Sequence, residues 1–249
     1  MGKVIADLAA SAASATLSVE NATSSVNYVL SKTDGSAGEF LKTDGSGNLS
    51  FASAAAGFHN VQTPSTGTYT KTPGTNKIIV EVQGGGGGGS SGNGAQFGGS
   101  GGGGAYVKQY IDVSAISTAT VAVGVGGTGG TSPTEGGTSS FTCTGVSISC
   151  LGGDHGEYHT SGHNDGGLGG VATASGAHVL INGQNGEQTY SYGGQGGDSG
   201  LGLGGCHYSY SGGTGQAPTG YGGGGGGGAG TSATGVNGGV GIVIVWEYK

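Results

Sequence analysis

The stretch Gly153-Asp-His-Gly-Glu-Tyr-His-Thr-Ser-Gly-His-Asn-Asp165 places His155, His159 and His163 four residues apart, with Asp154, Glu157 and Asp165 beside them. On a helix, imidazoles at that interval share a face and suit a transition metal. Gly156 and Gly162 argue against a helix there, and no cysteine is interleaved. The stretch therefore reads as a polar surface loop, and no metal or cofactor is expected. Three copies of the loop meeting at a symmetry axis would be the alternative route to a metal site.

A second group of residues suits recognition. Tyr158, His159, His163, Tyr190, Tyr192, His207, Tyr208, Tyr210 and Tyr221 lie between glycine tracts, among Ser and Gly. Tyr gives a large contact area at little entropy cost, while Ser, Gly and His supply adaptable hydrogen bonds. These nine residues are the candidate receptor-binding set. The plainer alternative is that each Tyr caps a chain segment or fills a sheet edge.

Catalysis finds little support. Glycoside cleavage needs two carboxylates held in a rigid cleft, and the few acids here sit in glycine-rich loops or turns. No Gly-x-Ser-x-Gly falls between a strand and a helix. The expectation is a protein that is not an enzyme.

Of the 249 residues, 65 are Gly, and only 8% are charged. Aperiodic glycine at that level usually signals low complexity, but disordered chains stay soluble through charge, which this one lacks. There is no Arg, only 7 Lys, and a formal charge of −7. A nucleic-acid binder needs a basic face, so that class is excluded. The longest apolar run, Ile242 to Trp246, is too short to span a bilayer. The N-terminal residues lack the apolar region of a secretory signal, so export by that route is not expected.

Cys143, Cys150 and Cys206 are an odd number. Residues 139–150 read as a hairpin turning at Thr144-Gly145, with Phe141, Cys143, Val146, Ile148 and Cys150 on one face. Cys143 and Cys150 are then too far apart for a disulfide and read as small buried apolar residues.

The elements that must position these residues fall into two parts. Residues 1–57 open with Ile5, Leu8, Ala12, Ala15, Val19 and Ala22 at spacings of three and four, suiting either a narrow coiled coil or a tail that orders on docking. Lys-Thr-Asp-Gly-Ser then occurs twice, at 32–36 and 42–46. Each Asp-Gly signals a tight turn between short strands. Units so small cannot bury an apolar face alone, so a homotrimeric shaft is expected, ending in a small-residue linker at 52–57. In residues 58–249, strand-like segments alternate with glycine tracts and no helical period is present.

The glycines have a period. Gly98–Gly102, Gly126–Gly130, Gly166–Gly170 and Gly193–Gly197 are one motif, GGxGG. In several, side chains recur every third residue: Thr128 and Thr131, Leu168 and Val171, Gln195, Asp198 and Leu201. Three residues per turn is the period of polyproline II, which has no internal hydrogen bonds. Bare faces would let neighbouring coils approach and pair their backbones. The tracts 84–89 and 222–228 are then expected to be central coils, surrounded on all sides and shielded by the strands at 77–82 and 241–248. The fold expected is all-β: a β-sandwich-like glycine-rich domain with polyglycine II helices, preceded by a short anchor and shaft.

The order Ile78-Ile-Val-Glu-Val-Gln-Gly-Gly-Gly-Gly-Gly-Gly89, Gly103-Gly-Ala-Tyr-Val107, Val121-Ala-Val-Gly-Val-Gly-Gly-Thr-Gly-Gly130, Thr138-Ser-Ser-Phe141 and Gly239-Val-Gly-Ile-Val-Ile-Val-Trp246 resembles the glycine-rich domains of bacteriophage tail fibres and adhesins. Phe40–Phe51 resembles phage-fibre shaft sequence. The resemblance covers roughly residues 75–249. It implies a homotrimeric virion fibre protein, joined at its N-terminus to a phage tail or capsid protein and made in the host cytoplasm. Its tip would bind a host surface glycan or outer-membrane protein non-covalently, with no nucleic acid and no membrane insertion. The short region before the domain leaves open a tail fibre, an accessory fibre or a capsid decoration. Alternatives are a structural fibre without a receptor role, a polysaccharide depolymerase and an ice-binding protein. The mixed outward residues Thr128, Leu168 and Gln195 count against the last.

Overall fold

The computed structural model describes residues 4–7, 16–19, 27–29, 36, 39–46, 48–53, 57–92, 97–158, 164–189, 192–206, 213–230 and 233–249. The chain divides into two compact units, Met1–Gly57 and Phe58–Lys249.

In the first unit, β1 (Val4–Asp7), β2 (Thr16–Val19) and β3 (Asn27–Val29) form an antiparallel sheet in that order. The spacing of three and four in residues 1–22 therefore does not wind a coiled-coil helix over these residues. Val4-Ile5 and Thr16-Leu17-Ser18-Val19 are rich in β-branched residues, which favour strands. β4 (Glu39–Thr43) and β5 (Leu49–Ser53) are a hairpin, and β5 takes in two residues expected to be linker. Its turn is built as the Asp-Gly pair predicts. Asp44 accepts hydrogen bonds from the Ser46 and Asn48 amides at 2.7 and 3.1 Å, and Gly45 has φ +79°. Phe40, Leu41 and Phe51 remain exposed.

The second unit begins with β6 (Phe58–Gln62), β7 (Gly67–Thr70), β8 (Lys77–Gln83), β9 (Tyr106–Asp112) and β10 (Thr118–Ala122). β11 (Ser139–Cys143), β12 (Val146–Cys150), β13 (Ala172–Ala174) and β14 (Val179–Ile181) follow. β15 (Leu201–Leu203), β16 (Thr219–Tyr221) and β17 (Ile242–Tyr248) complete the order. Two five-stranded antiparallel sheets, β13-β12-β11-β10-β7 and β14-β9-β8-β17-β6, pack face to face. Alternation along β8 and β17 sends Ile78, Val80, Val82, Val243 and Val245 inward to meet Phe141, Ile148, Val121 and Tyr69. Each such side chain contributes roughly 1.5–3 kcal/mol by burial. The 139–150 hairpin turns at Gly145 (φ +75°), with Cys143 opposite Val146. All three cysteines are free.

The glycine tracts continue the strands end-on. From β8 the chain runs out through 84–92 and returns through 97–105 into β9. The pattern repeats with 124–130 and 133–138, 151–158 and 164–171, 182–189 and 192–199, 204–206 and 213–218, and 222–230 and 233–241. Hydrogen bonds between these segments set their geometry. Gly84, Gly87 and Ser90 donate to Ala105, Gly102 and Gly99. Gly85 and Gly88 donate to Gly137 and Thr134, while Gly86, Gly89 and Gly92 donate to Gly239, Val236 and Ala233. The partner changes at every residue and returns at every third. That is a coil of three residues per turn with no internal bonds, as in polyproline II.

The carbonyls obey the same rule. Gly85 and Gly88 accept from Gly153 and Gly156, Gly86 and Gly89 from Gly127 and Gly130, and Gly87 and Ser90 from Gly225 and Gly228. The 84–92 coil thus donates to three antiparallel neighbours and accepts from three parallel ones. Those neighbours also bond to one another in a closed ring: 97–105, 151–158, 133–138, 124–130, 233–241 and 222–230. The 97–105 and 222–230 coils are ringed in the same way. Among the described residues, three central coils therefore sit inside nine outer ones in a hexagonal array. A Cβ on any of Gly84–Gly89 would lie 1.9–2.4 Å from a backbone carbonyl oxygen, so these positions admit only glycine.

The third central coil was not evident from sequence. Ser100 interrupts its glycines, yet it is fully buried, and its hydroxyl donates to the Glu187 and Gln195 carbonyls at 3.1 and 2.7 Å. The hydroxyl supplies a donor where a coil neighbour's amide would otherwise stand.

Candidate functional site

The array has two different ends. At one, the coils run into the sandwich. At the other, the chain turns between outgoing and returning coils, and most candidate receptor-binding residues belong to these turns. The residues flanking the turns are tied together. Gly92 donates to Ala233 at 3.0 Å, Gly98 to Gly228 at 2.8 Å, Ala229 to Gly213 at 3.0 Å and Gln216 to Cys206 at 3.0 Å. Phe97 bridges Ala229, and Asn164 bridges Thr189. Gly99 donates to the Glu157 carbonyl at 3.2 Å, and the Ser90 hydroxyl donates to the same oxygen at 3.0 Å. The boundaries of segments 93–96, 159–163, 190–191, 207–212 and 231–232 therefore converge on one hydrogen-bonded apex. Ser90, Ser91, Asn164 and Thr189 are buried beneath it.

Tyr158 and Tyr192 stand at this apex, both half-buried. His159, His163, Tyr190, His207, Tyr208 and Tyr210 lie outside the described residues. Tyr221 is elsewhere. It ends β16, pairs with Leu201 and is followed by Gly222, which bonds Val240 and Gly104 at the sandwich end of the array. It is 40% exposed but does not join the other candidates. Its place follows from the direction of the chain: the coil after it runs toward the apex, so its first residue is farthest from there. Of the three spaced histidines, His155 is described. It is half-buried on coil 151–158, and Gly156 donates to Gly88, so this part of the loop is array rather than helix.

The sequence gave no hint of how the array's rim is closed. Outer coils have amides with no neighbouring coil to receive them, and side chains from the next coil accept instead. Asn237 caps the Gly129 amide at 2.7 Å, Asn185 caps Gly169 at 2.9 Å and Asn182 caps Ala172 at 3.0 Å. Asp198 caps Gly204 at 2.8 Å, and Glu187 caps Gln195 at 3.1 Å. Unpaired rim amides would otherwise be templates for further chains, as at a sheet edge.

The arrangement of strands, tracts and rim agrees with the comparison to known families. The glycine-rich domain family matches over residues 61–248. The chain belongs to the glycine-rich domain family. No curated protein matches it. The match spans the sandwich and the whole coil array and leaves the first unit outside. Among the described residues, no group of three or more His, Cys, Asp or Glu is placed to hold a metal ion, and no helix is long and apolar enough to cross a membrane.

Proposed function

We propose that this glycine-rich domain is the distal, receptor-binding part of a bacteriophage virion fibre. The observation carrying the proposal is the convergence of five turn boundaries on one apex, backed by coils whose every backbone neighbour is fixed. A scaffold of that kind holds variable turns in a set relation, as rigid frameworks do for recognition loops. The residues assigned to contact are Tyr158, His159, His163, Tyr190, Tyr192, His207, Tyr208 and Tyr210, around a host surface glycan or outer-membrane protein. Residues 1–57 join the virion and assemble three copies, whose combined weak contacts give useful avidity. The exposed Phe40, Leu41 and Phe51 of an otherwise lone hairpin support self-association there.

The test is capture of cells by the fluorescently labelled full-length chain across a panel of bacterial strains. Strain-selective binding is expected, with loss of capture and of infection blocking in Tyr208→Ala/Tyr210→Ala. Wild-type capture by the double variant would move the contact surface elsewhere. Light scattering should give three chains per particle, and a monomer would refute the trimer.

A further inference from the structure

Coils 133–138, 151–158 and 164–171 lie side by side as one row of the outer ring, with 182–189 at the corner beyond. Outward side chains on each coil recur every third residue, about 9 Å apart, with bare glycine between them. Over Gly166, Gly167 and Gly186 this pattern leaves an open groove of about 530 Å³. That is the size of a small-ligand site, and neither the fold nor the apex accounts for it.

The chemistry of the groove is one-sided. Glu135, Asp154, Glu157 and Asp165 line it, and carboxylates only accept hydrogen bonds. Asn185 already uses its side-chain oxygen on the Gly169 amide, and Gln188 donates its amide to Asp165. His155, also in the lining, has a buried Nδ1 with no partner in the protein, and an orphaned buried polar atom calls for one. Leu168, 60% exposed, adds an apolar platform. No Lys or Arg occurs between residues 109 and 248, so nothing local neutralises the acids. A ligand that fits must be rich in donors, carry no negative charge and have an apolar face. A single metal ion does not fit, because no three ligating side chains among the described residues converge on one point.

We propose that this groove binds a short segment of a neutral or amine-bearing saccharide. Its hydroxyl or ammonium groups donate to Asp154, Asp165 and the His155 imidazole, and one sugar ring rests on Leu168. The site lies on the flank of the array and stands or falls independently of receptor contact at the apex.

Calorimetric and NMR titration of the full-length protein with three probes tests it: chitosan hexamer, N-acetylchitohexaose and hexagalacturonate. They cover amine-bearing, neutral and acidic glycans. Saturable binding is expected for the first two, tighter for the amine-bearing one and weakening with salt, and none for the acidic one. Asp154→Asn/Asp165→Asn should weaken binding about tenfold or more, the loss expected for two charge-assisted hydrogen bonds, with an unchanged melting temperature confirming its fold. Leu168→Ala should weaken binding of the neutral probe. No saturable binding of either favoured probe, equal binding of hexagalacturonate, or unchanged affinity in the folded double variant would overturn the proposal. Running Tyr208→Ala/Tyr210→Ala in both the glycan and the cell-capture assays separates failure of this site from failure of the apex.

Discussion

Replacing Gly87 with Ala is the sharpest perturbation the fold offers, because it adds one methyl group to the middle of a central coil. The new Cβ would sit 1.9 Å from the Asp154 carbonyl oxygen and 2.5 Å from its carbon. Reaching the 3.4 Å of ordinary contact requires the 84–92 and 151–158 coils to part by roughly 1.5 Å. That movement breaks the bonds from Gly153 to Gly85 (3.0 Å) and from Gly156 to Gly88 (2.9 Å), which lie on either side of the clash. Each lost bond that strands a buried polar group costs about 1–3 kcal/mol. The loss of glycine's unfolded-state freedom returns about 0.4–1 kcal/mol. The net expectation is destabilisation by about 2–5 kcal/mol, read from urea unfolding followed by Trp246 fluorescence. Leu168→Ala, on an outward stripe, should change stability by less than about 1 kcal/mol. If Gly87→Ala unfolds within about 0.5 kcal/mol of the wild type, the coils are not packed as described and the steric reasoning is wrong.

Other outcomes follow from the sandwich. Glu247 is fully buried. Burial raises its pKa, but hydrogen bonds from Thr72, Tyr69 and the Thr72 amide outweigh that and hold the carboxyl below its ordinary 4.5. Its contribution to stability is therefore complete above pH 4.5 and is lost as pH falls through the lower folded value. Melting temperatures from pH 7 to pH 3 should show this acid limb, and Glu247→Gln should be less stable at neutral pH with a flatter limb. Burial pushes the Cys150 thiol up to about 12, whereas Cys206 is exposed. Iodoacetamide on the native protein should label Cys206 first and Cys150 only after unfolding, as mass spectrometry of the peptides would show.

The strands were legible because their chemistry is local. Alternating Val and Ile mark β8 and β17, and Thr144-Gly145 closes a hairpin wherever it stands. The central coils were legible from composition: tracts 84–89 and 222–228 have glycine at every position because each faces a neighbour. The 97–105 coil escaped notice because Ser100 mimics an outward residue, and only the three-dimensional ring reveals that its hydroxyl bonds inward. Tyr221 was misplaced for a related reason. Composition puts it among the loop aromatics, while its distance from the apex depends on which way the coil after it runs. The rim caps Asn182, Asn185 and Asn237 read as ordinary loop polars, since their partners are amides on another coil. In residues 1–22, spacing suggested a helix, but β-branched residues and pairing between segments produced strands instead.

Amide hydrogen exchange across Gly84–Gly89 and Gly222–Gly228 bears most directly on the array itself. Backbone pairing between coils predicts protection comparable to that of β8 and β17, with exchange governed by global unfolding. Exchange in these tracts at the rate of an unstructured chain, beside protected strands, would show that the glycines are tethers and would remove the frame on which the apex and the groove both depend.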